Sequence, residues 1–492
     1  MSDQKKATPP KADCGADPAA ATTVACKCAQ DFVITATCTI LKAGGDPVQI
    51  TASELPGKPA GTYTWTTASH KITLSNANTS TVSVTPLATP SAGREAEVIT
   101  VTRKFAGCPD ISKTVKVTVA KVTFSVSASQ RYGYDDFDTP ANTLDDHVSV
   151  KKSDYTFVKV QIAGGAVGTD FNFVCDPADV CDPAAPAGTA TFDLRLNAQN
   201  QDKKEATLHA KCKCPAATSF THIQVHVYKE VLVEVVVAKI DDRASDGTAL
   251  HWPAMDGAGH TAKVNAKVKA AVVKYDITNY DASNGVTHVT FDSDNNGALS
   301  FDINGGGGAE VTAIGTAMTG TGTKTRIAVV KRLKSYYYLS EDVAVGGKDL
   351  KVRGDGVFNY ASFPNVPLGL GANKEPVTVH STAGNVITLA AGVTKAHAAG
   401  TPIEFIAAGW SSDPIILTEE NSVDGSVIAE DNILWSIPHE AGHRKFLFAD
   451  VDDKNDLMHH QQSWTDHRLR YCPRTKYYTP AEKENQWEMI PR

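Results

Sequence analysis

The residues best placed for chemistry lie in the segment SIPHEAGHRKFLFADVDDKNDLMHH, where His439, Glu440 and His443 spell His-Glu-x-x-His. On a helix of about 3.6 residues per turn, His439 and His443 are about 40° apart and one turn along, so both imidazoles reach one metal ion. Glu440 sits about 100° round from His439, beside the ion rather than on it, in position to take a proton from a metal-bound water. Zn2+ suits two imidazoles and lowers the pKa of bound water to about 7, so a nucleophile is available at neutral pH. The spacing predicts a helical zinc site for metal-assisted hydrolysis.

A catalytic zinc needs a third protein ligand. The nearest carboxylate beyond the motif is Asp450, seven residues after His443. On an unbroken helix Asp450 would share the azimuth of His439 but lie about 16 Å along the axis, too far for one ion. The helix must therefore break near 446–448 for Asp450 to turn back, and no glycine follows Gly442 there to ease it. Asp450 is the first candidate ligand, with Asp452, His459, His460 and His467 as alternatives. His460 is also a second candidate for proton transfer.

Other motifs are weaker. Asp292, Asp294, Asn296 and Gly297 match the opening of a calcium loop, but position twelve is Ile303, which supplies no carboxylate. The stretch reads as a turn between VTHVTF and ALSFDI, a hairpin signal. GTAMTGTGTKT has Thr323 before Lys324 where a phosphate loop needs Gly, and reads with residues 304–323 as a Gly/Thr-rich loop. No Gly-x-Ser-x-Gly elbow occurs, which removes an α/β-hydrolase.

The elements around the motif change character along the chain. In the first half, short period-2 segments such as VSVTP, EVITVTRKF and TVKVTVAKVTFSVSA alternate with turn residues, the pattern of antiparallel sandwiches. Gly61-Thr62-Tyr63-Thr64-Trp65 recurs loosely at Gly168–Phe173, an offset of 107, and Cys108-Pro109 recurs as Cys214-Pro215, an offset of 106. Two agreeing offsets predict a tandem pair of domains. From about residue 229 the run VLVEVVVAKI reads as a strand buried on both faces. AKVNAKVKAAVVKY, with Val264, Val268 and Val272, leans to helix, and RIAVVKRL is an apolar strand. The expected architecture is a leader (1–29), two all-β sandwiches (30–120 and 121–235) and an α+β domain (236–492) holding a small β module (341–408).

Several of these features resemble known families. The order Cys38, Trp65, Cys108 is similar to that of an immunoglobulin core, and the repeats resemble bacterial Ig-like domains; the resemblance implies a Cys38–Cys108 bridge, with Cys175–Cys181 a candidate local one. The segment containing AHAAGTP is similar to a small β module of bacterial and phage surface proteins. His439, Glu440, His443 and the Asn455–His460 segment around Met458 resemble the active-site helix and Met-turn of metzincin-type zinc peptidases. Their usual Gly and His or Asp, three and six residues after the second His, are replaced here by Phe446 and Ala449, which leaves the third ligand open. The whole is similar to type VI secretion effector peptidases, which implies a peptide or protein substrate, with cell-envelope peptides among the candidates, a secretion-spike carrier and an immunity protein. The alternative reading is an Ig-like surface or matrix binding protein whose zinc site is structural or serves minor processing.

Composition narrows the classes. The 492 residues carry 48 Lys plus Arg and 55 Asp plus Glu, a net charge of -7, which supplies no broad positive field for nucleic acid or anionic lipid. No apolar run approaches the ~20 residues of a membrane helix. The first residues contain no apolar core of a secretory signal and read as a polar leader; the resemblance to type VI effectors then implies export without such a signal, to act in a target cell's periplasm. Ten cysteines suit disulfides in an oxidising space, whereas the Cys-x-Cys pairs at 26/28 and 212/214 lack zinc-ribbon spacing. Thiol titration of the unreduced, denatured protein should find well below ten free thiols; ten would remove the oxidising compartment.

Overall fold

Alternating apolar and polar residues make the first half of the chain all-β, as period-2 side chains require. The computed structural model describes residues 32–56, 60–106, 108–135, 146–214, 218–241, 258–280, 286–292, 298–303, 308–354, 363–405, 409–410, 412–420, 426–448, 456–458, 469 and 486–492. The chain divides into two compact units, Met1–Tyr228 and Lys229–Arg492.

The first sandwich comprises β1 (Phe32–Ala36), β2 (Ile40–Lys42), β3 (Val48–Glu54), β4 (Thr62–Thr67), β5 (Ile72–Ser75), β6 (Thr81–Pro86), β7 (Glu97–Lys104) and β8 (Ile111–Val126). One sheet runs β1-β3-β6-β5; the facing sheet holds β4, β7 and β8, with β2 parallel to β8. Ile50, Trp65, Val84, Ile99 and Val101 fill the space between them. The Trp65 indole donates its one hydrogen bond to the Thr79 carbonyl at 2.8 Å, so the largest core side chain carries no unsatisfied donor.

The second sandwich repeats this plan with β9 (Tyr134–Asp135), β10 (His147–Lys151), β11 (Tyr155–Ala163), β12 (Phe171–Asp176), β13 (Cys181–Pro183), β14 (Thr191–Ala198), β15 (Lys204–Cys212) and β16 (Ser219–Tyr228). Its sheets run β13-β14-β11-β8 and β12-β15-β16-β10-β9. Here β10 lies parallel to β16 as β2 lies parallel to β8. The repeated anchors occupy equivalent places, since Trp65 is on β4, Phe173 on β12, and Cys108 and Cys214 follow β7 and β15. Both copies are Ig-like by this strand order.

Two expectations are corrected. The boundary at 120/121 falls inside β8, which pairs with β7 through Ile111–Val117 and with β11 through Lys121–Val126. One extended strand thus closes the first sandwich and opens the second, and a bidentate Arg94–Asp170 pair at 3.0 and 3.1 Å ties them further. The Cys38–Cys108 bridge is absent: Cys38 lies between β1 and β2, off the strands that face each other across the core, and is bonded to Cys214 of the second sandwich. Cys108 is disulfide-bonded to a residue outside those described. The local Cys175–Cys181 bond is present.

The second unit contains β17 (Val231–Asp241), α1 (Ala258–Val268), β18 (Val273–Asn279), β19 (Val286–His288), β20 (Leu299–Asp302), α2 (Gly308–Ala317) and β21 (Thr325–Tyr338). Then come β22 (Asp349–Lys351), β23 (Phe363–Leu368), β24 (Glu375–Ala383), β25 (Val386–Leu389), β26 (Pro402–Phe405), β27 (Gly409–Trp410), β28 (Ile415–Glu420), α3 (Glu430–Phe446) and α4 (Gln486–Met489). Strands β18, β17, β21 and β28 lie side by side and parallel, and β27 adds antiparallel to β28. Residues 229–235 therefore belong to this sheet and not to the second sandwich. Val264 and Val268 of α1 are buried, and Val272 takes a left-handed φ of 56° that ends the helical stretch before β18.

The predicted hairpin does not form. β19 pairs with β17 and β20 with β21, because these long strands offer edges that outcompete a local turn. The Gly/Thr-rich loop contains α2, whose Val311 and Ile314, with Met318 just beyond, bury one face against Ala328 and Ile416 of the sheet. Among the described residues no helix is long and apolar enough to cross a membrane.

The strands β22–β26 pack around a core that includes Tyr337 of β21 with Leu350, Val352, Val379, Ile387 and Ile403. Glu375 is its polar hub: the carboxylate accepts bonds from the Thr394 amide and hydroxyl, the Lys395 amide and His397 Nε2. Burial pushes the Glu375 carboxyl up, but the hydrogen bonds from Thr394, His397 and Lys395 outweigh it and bring the group to about 2. A carboxylate held below its ordinary value of 4.5 stabilises the fold above that pH and loses its contribution as pH falls toward 2. Acid titration of stability by circular dichroism should be less steep in this window for Glu375→Gln; an unchanged profile would show that the hub does not carry the acid sensitivity.

Candidate metal centre

The site is built on α3, which follows β28 and presents Ile433, Leu434, Ile437 and Ala441 as its buried face. Pro438 stands inside this helix directly before His439 and removes one helical hydrogen bond, to the Leu434 carbonyl. The helix ends at Phe446, and Leu447 adopts a left-handed φ of 58° and ψ of 33°. The Phe448 amide then bonds back to the Gly442 carbonyl at 3.2 Å, the six-residue closure that glycine usually supplies. A non-glycine break at 447 turns the chain where Asp450 would need it.

This break positions the imidazoles. His443 Nδ1 donates to the Phe448 carbonyl at 2.7 Å, and His439 Nδ1 donates to the Leu457 carbonyl at 2.9 Å. A carbonyl only accepts, so each ring carries a proton on Nδ1, and in its neutral form it offers Nε2 as the metal-binding atom. The two Nε2 atoms lie 3.1 Å apart, close enough for both rings to reach one ion. Two nitrogens each about 2.0–2.1 Å from one tetrahedral zinc are about 3.3 Å apart, so the donor set fits the ion. Trp435 packs on His439 with ring centroids 4.6 Å apart, and His439 is buried. Glu440 is half-buried, one residue on along the same helix.

Met458 lies beneath this helix, fully buried. A Cβ at Gly442 would come 2.7 Å from Met458 Sδ and 3.1 Å from Phe448 Cδ2, so the second of the motif's variable positions must stay small. Asp456 fixes the Leu457–Met458 turn: its buried Oδ1 accepts from the Met458 amide at 2.8 Å and from Gln486 Nε2 at 3.0 Å. Sequence reasoning missed the roles of Asp456, Gln486, Trp435 and the two carbonyls; only the Met-turn resemblance of Asn455–His460 pointed to the segment that holds Asp456 and Leu457. Asp450, Asp452, His459, His460 and His467 lie outside the described residues.

A second histidine pair sits in the second sandwich, where His147 Nδ1 and His226 Nε2 are 2.9 Å apart between β10 and β16. Burial, with the neighbouring His226, pushes the His147 pKa down to about 3, which keeps that ring neutral.

No protein-family model matches the chain, and no match is found among curated proteins. Among solved structures the chain is similar to the fibronectin(III)-like modules of Clostridium thermocellum CbhA, at 9% identity and a TM-score of 0.19, covering 40% of this chain and 94% of that one. The insect immune protein hemolin matches at 14% identity and 0.17, covering 41% and 48%, and domains A168–A170 of titin at 9% and 0.15, covering 42% and 68%. Likenesses this remote carry no argument about this chain, whose Ig-like character rests on its own strand order.

Gly442→Ala should destabilise the second unit by about 1–3 kcal/mol, because the added methyl displaces buried Met458. Chemical denaturation followed by tryptophan fluorescence measures this; an unchanged midpoint would show that Met458 does not pack as described.

Proposed function

We propose that the second unit is a zinc-dependent peptidase. The observation that supports this reading is the approach of the two Nε2 atoms to 3.1 Å on a helix that also carries Glu440 between the histidines in sequence. Zinc, when bound, would polarise the scissile carbonyl and supply a nucleophile at neutral pH. His439 and His443 would hold the ion, each fixed in its tautomer by a backbone carbonyl. Asp450 is the first choice for the third ligand, with His460 a candidate proton carrier. Glu440 would take the proton of the attacking water and return it to the leaving amine. Met458, packed under Gly442, would keep the helix seated while substrate binds.

Export to an envelope compartment, as in type VI effectors, belongs to the same proposal. It is supported by the Cys38–Cys214 and Cys175–Cys181 bonds, which persist in oxidising spaces. The zinc-loaded wild-type protein should cleave a peptide library, and Glu440→Gln should lose at least about a hundredfold in turnover while keeping its metal. His439→Ala or His443→Ala should lose most of the zinc by elemental analysis. Full zinc in both histidine variants, or turnover of Glu440→Gln within tenfold, would overturn the assignment. Directed to the periplasm by an added signal, wild type should impair growth and Glu440→Gln should not.

A further inference from the structure

Three sulfur atoms meet between the sandwiches where one disulfide uses only two. Cys38 is bonded to Cys214, while Cys212, the last residue of β15, keeps a free thiol whose Sγ lies 3.7 Å from Cys38 Sγ. All three sulfurs lie within 4.8 Å of one another. The bend that follows β15 at Lys213 and Cys214 keeps both cysteines of the Cys-x-Cys pair beside Cys38. Lys213 between them points to solvent. Cys38 and Cys212 are buried at 8% and 2% exposure, while Cys214 is half-buried against the same core.

We propose that this cluster is a thiol–disulfide exchange site in which Cys212 and Cys214 compete for Cys38. Deprotonated Cys212 attacks Cys38 Sγ; the Cys38–Cys212 bond forms as the Cys38–Cys214 bond breaks, and Cys214 leaves as a thiolate that recovers the proton. One S–S bond replaces another, with no net oxidation and no outside reagent. The competing loops are almost equal, with sequence separations of 174 and 176, so loop entropy favours neither bond. Either bond joins the first sandwich to the second, and the clamp survives the exchange. What changes is the free thiol, which moves from a buried position to a half-buried one where a partner thiol or disulfide reaches it.

The test uses the full chain, purified without reductant and treated natively with a maleimide, with labelled sites mapped by mass spectrometry. Wild type should acquire label at Cys214, and Cys212→Ala should acquire it at least tenfold more slowly. In Cys214→Ser, oxidised glutathione should convert the Cys38 and Cys212 thiols into a Cys38–Cys212 bond, releasing two equivalents of glutathione. Wild type unlabelled at Cys214, equal labelling of Cys214 in Cys212→Ala, or two persistent thiols in Cys214→Ser would each overturn the exchange.

Discussion

Both motif imidazoles are held by backbone carbonyls, and the rest of the site follows from that constraint. The carbonyls of Phe448 and Leu457 accept from Nδ1 of the two rings and turn both Nε2 atoms toward each other at 3.1 Å. Phe448 reaches His443 only because Leu447 adopts a left-handed conformation one residue past the helix. Leu457 reaches His439 only because Asp456 turns the chain and Gln486 of the final helix grips Asp456. The site thus depends on segments up to 47 residues beyond His439, all pressed onto one helix.

That helix is seated by the sheet beneath it. β28 leads into α3, and its residues Ile415, Leu417 and Glu419 are buried. Glu419 meets Lys239 of β17 at 3.0 Å with both side chains buried, an ion pair inside an otherwise apolar layer. Burial pushes the Lys239 pKa down, and the Glu419 carboxylate beside it opposes that shift. Breaking one member would leave a lone buried charge, a larger loss than the pair's own net contribution.

In the first unit the organising constraint is continuity. Because β8 pairs with β7 at one end and β11 at the other, the two sandwiches share a strand instead of hanging from a linker. Gly165, with φ of 81°, allows the close approach this requires, since a Cβ there would fall 2.1 Å from the Arg94 amide nitrogen. A tandem joined in this way holds three cysteine sulfurs from two sandwiches in one cluster.

Much was legible in the residues alone. Period-2 alternation and the two repeat anchors determined a tandem of sandwiches, because side-chain alternation and turn residues are local properties. The His-Glu-x-x-His spacing determined that His439 and His443 share a helix face, because helical periodicity is local too. The tertiary structure decided what depends on distant partners. Cys38 joins Cys214 and not Cys108, because a disulfide follows spatial proximity and not motif order. VTHVTF and ALSFDI join separate long strands, since a turn signal cannot show which edges compete for its flanks. The protonation of the site histidines was likewise out of reach of the sequence, because it is set by carbonyls of Phe448 and Leu457, and a carbonyl is the one group every residue carries.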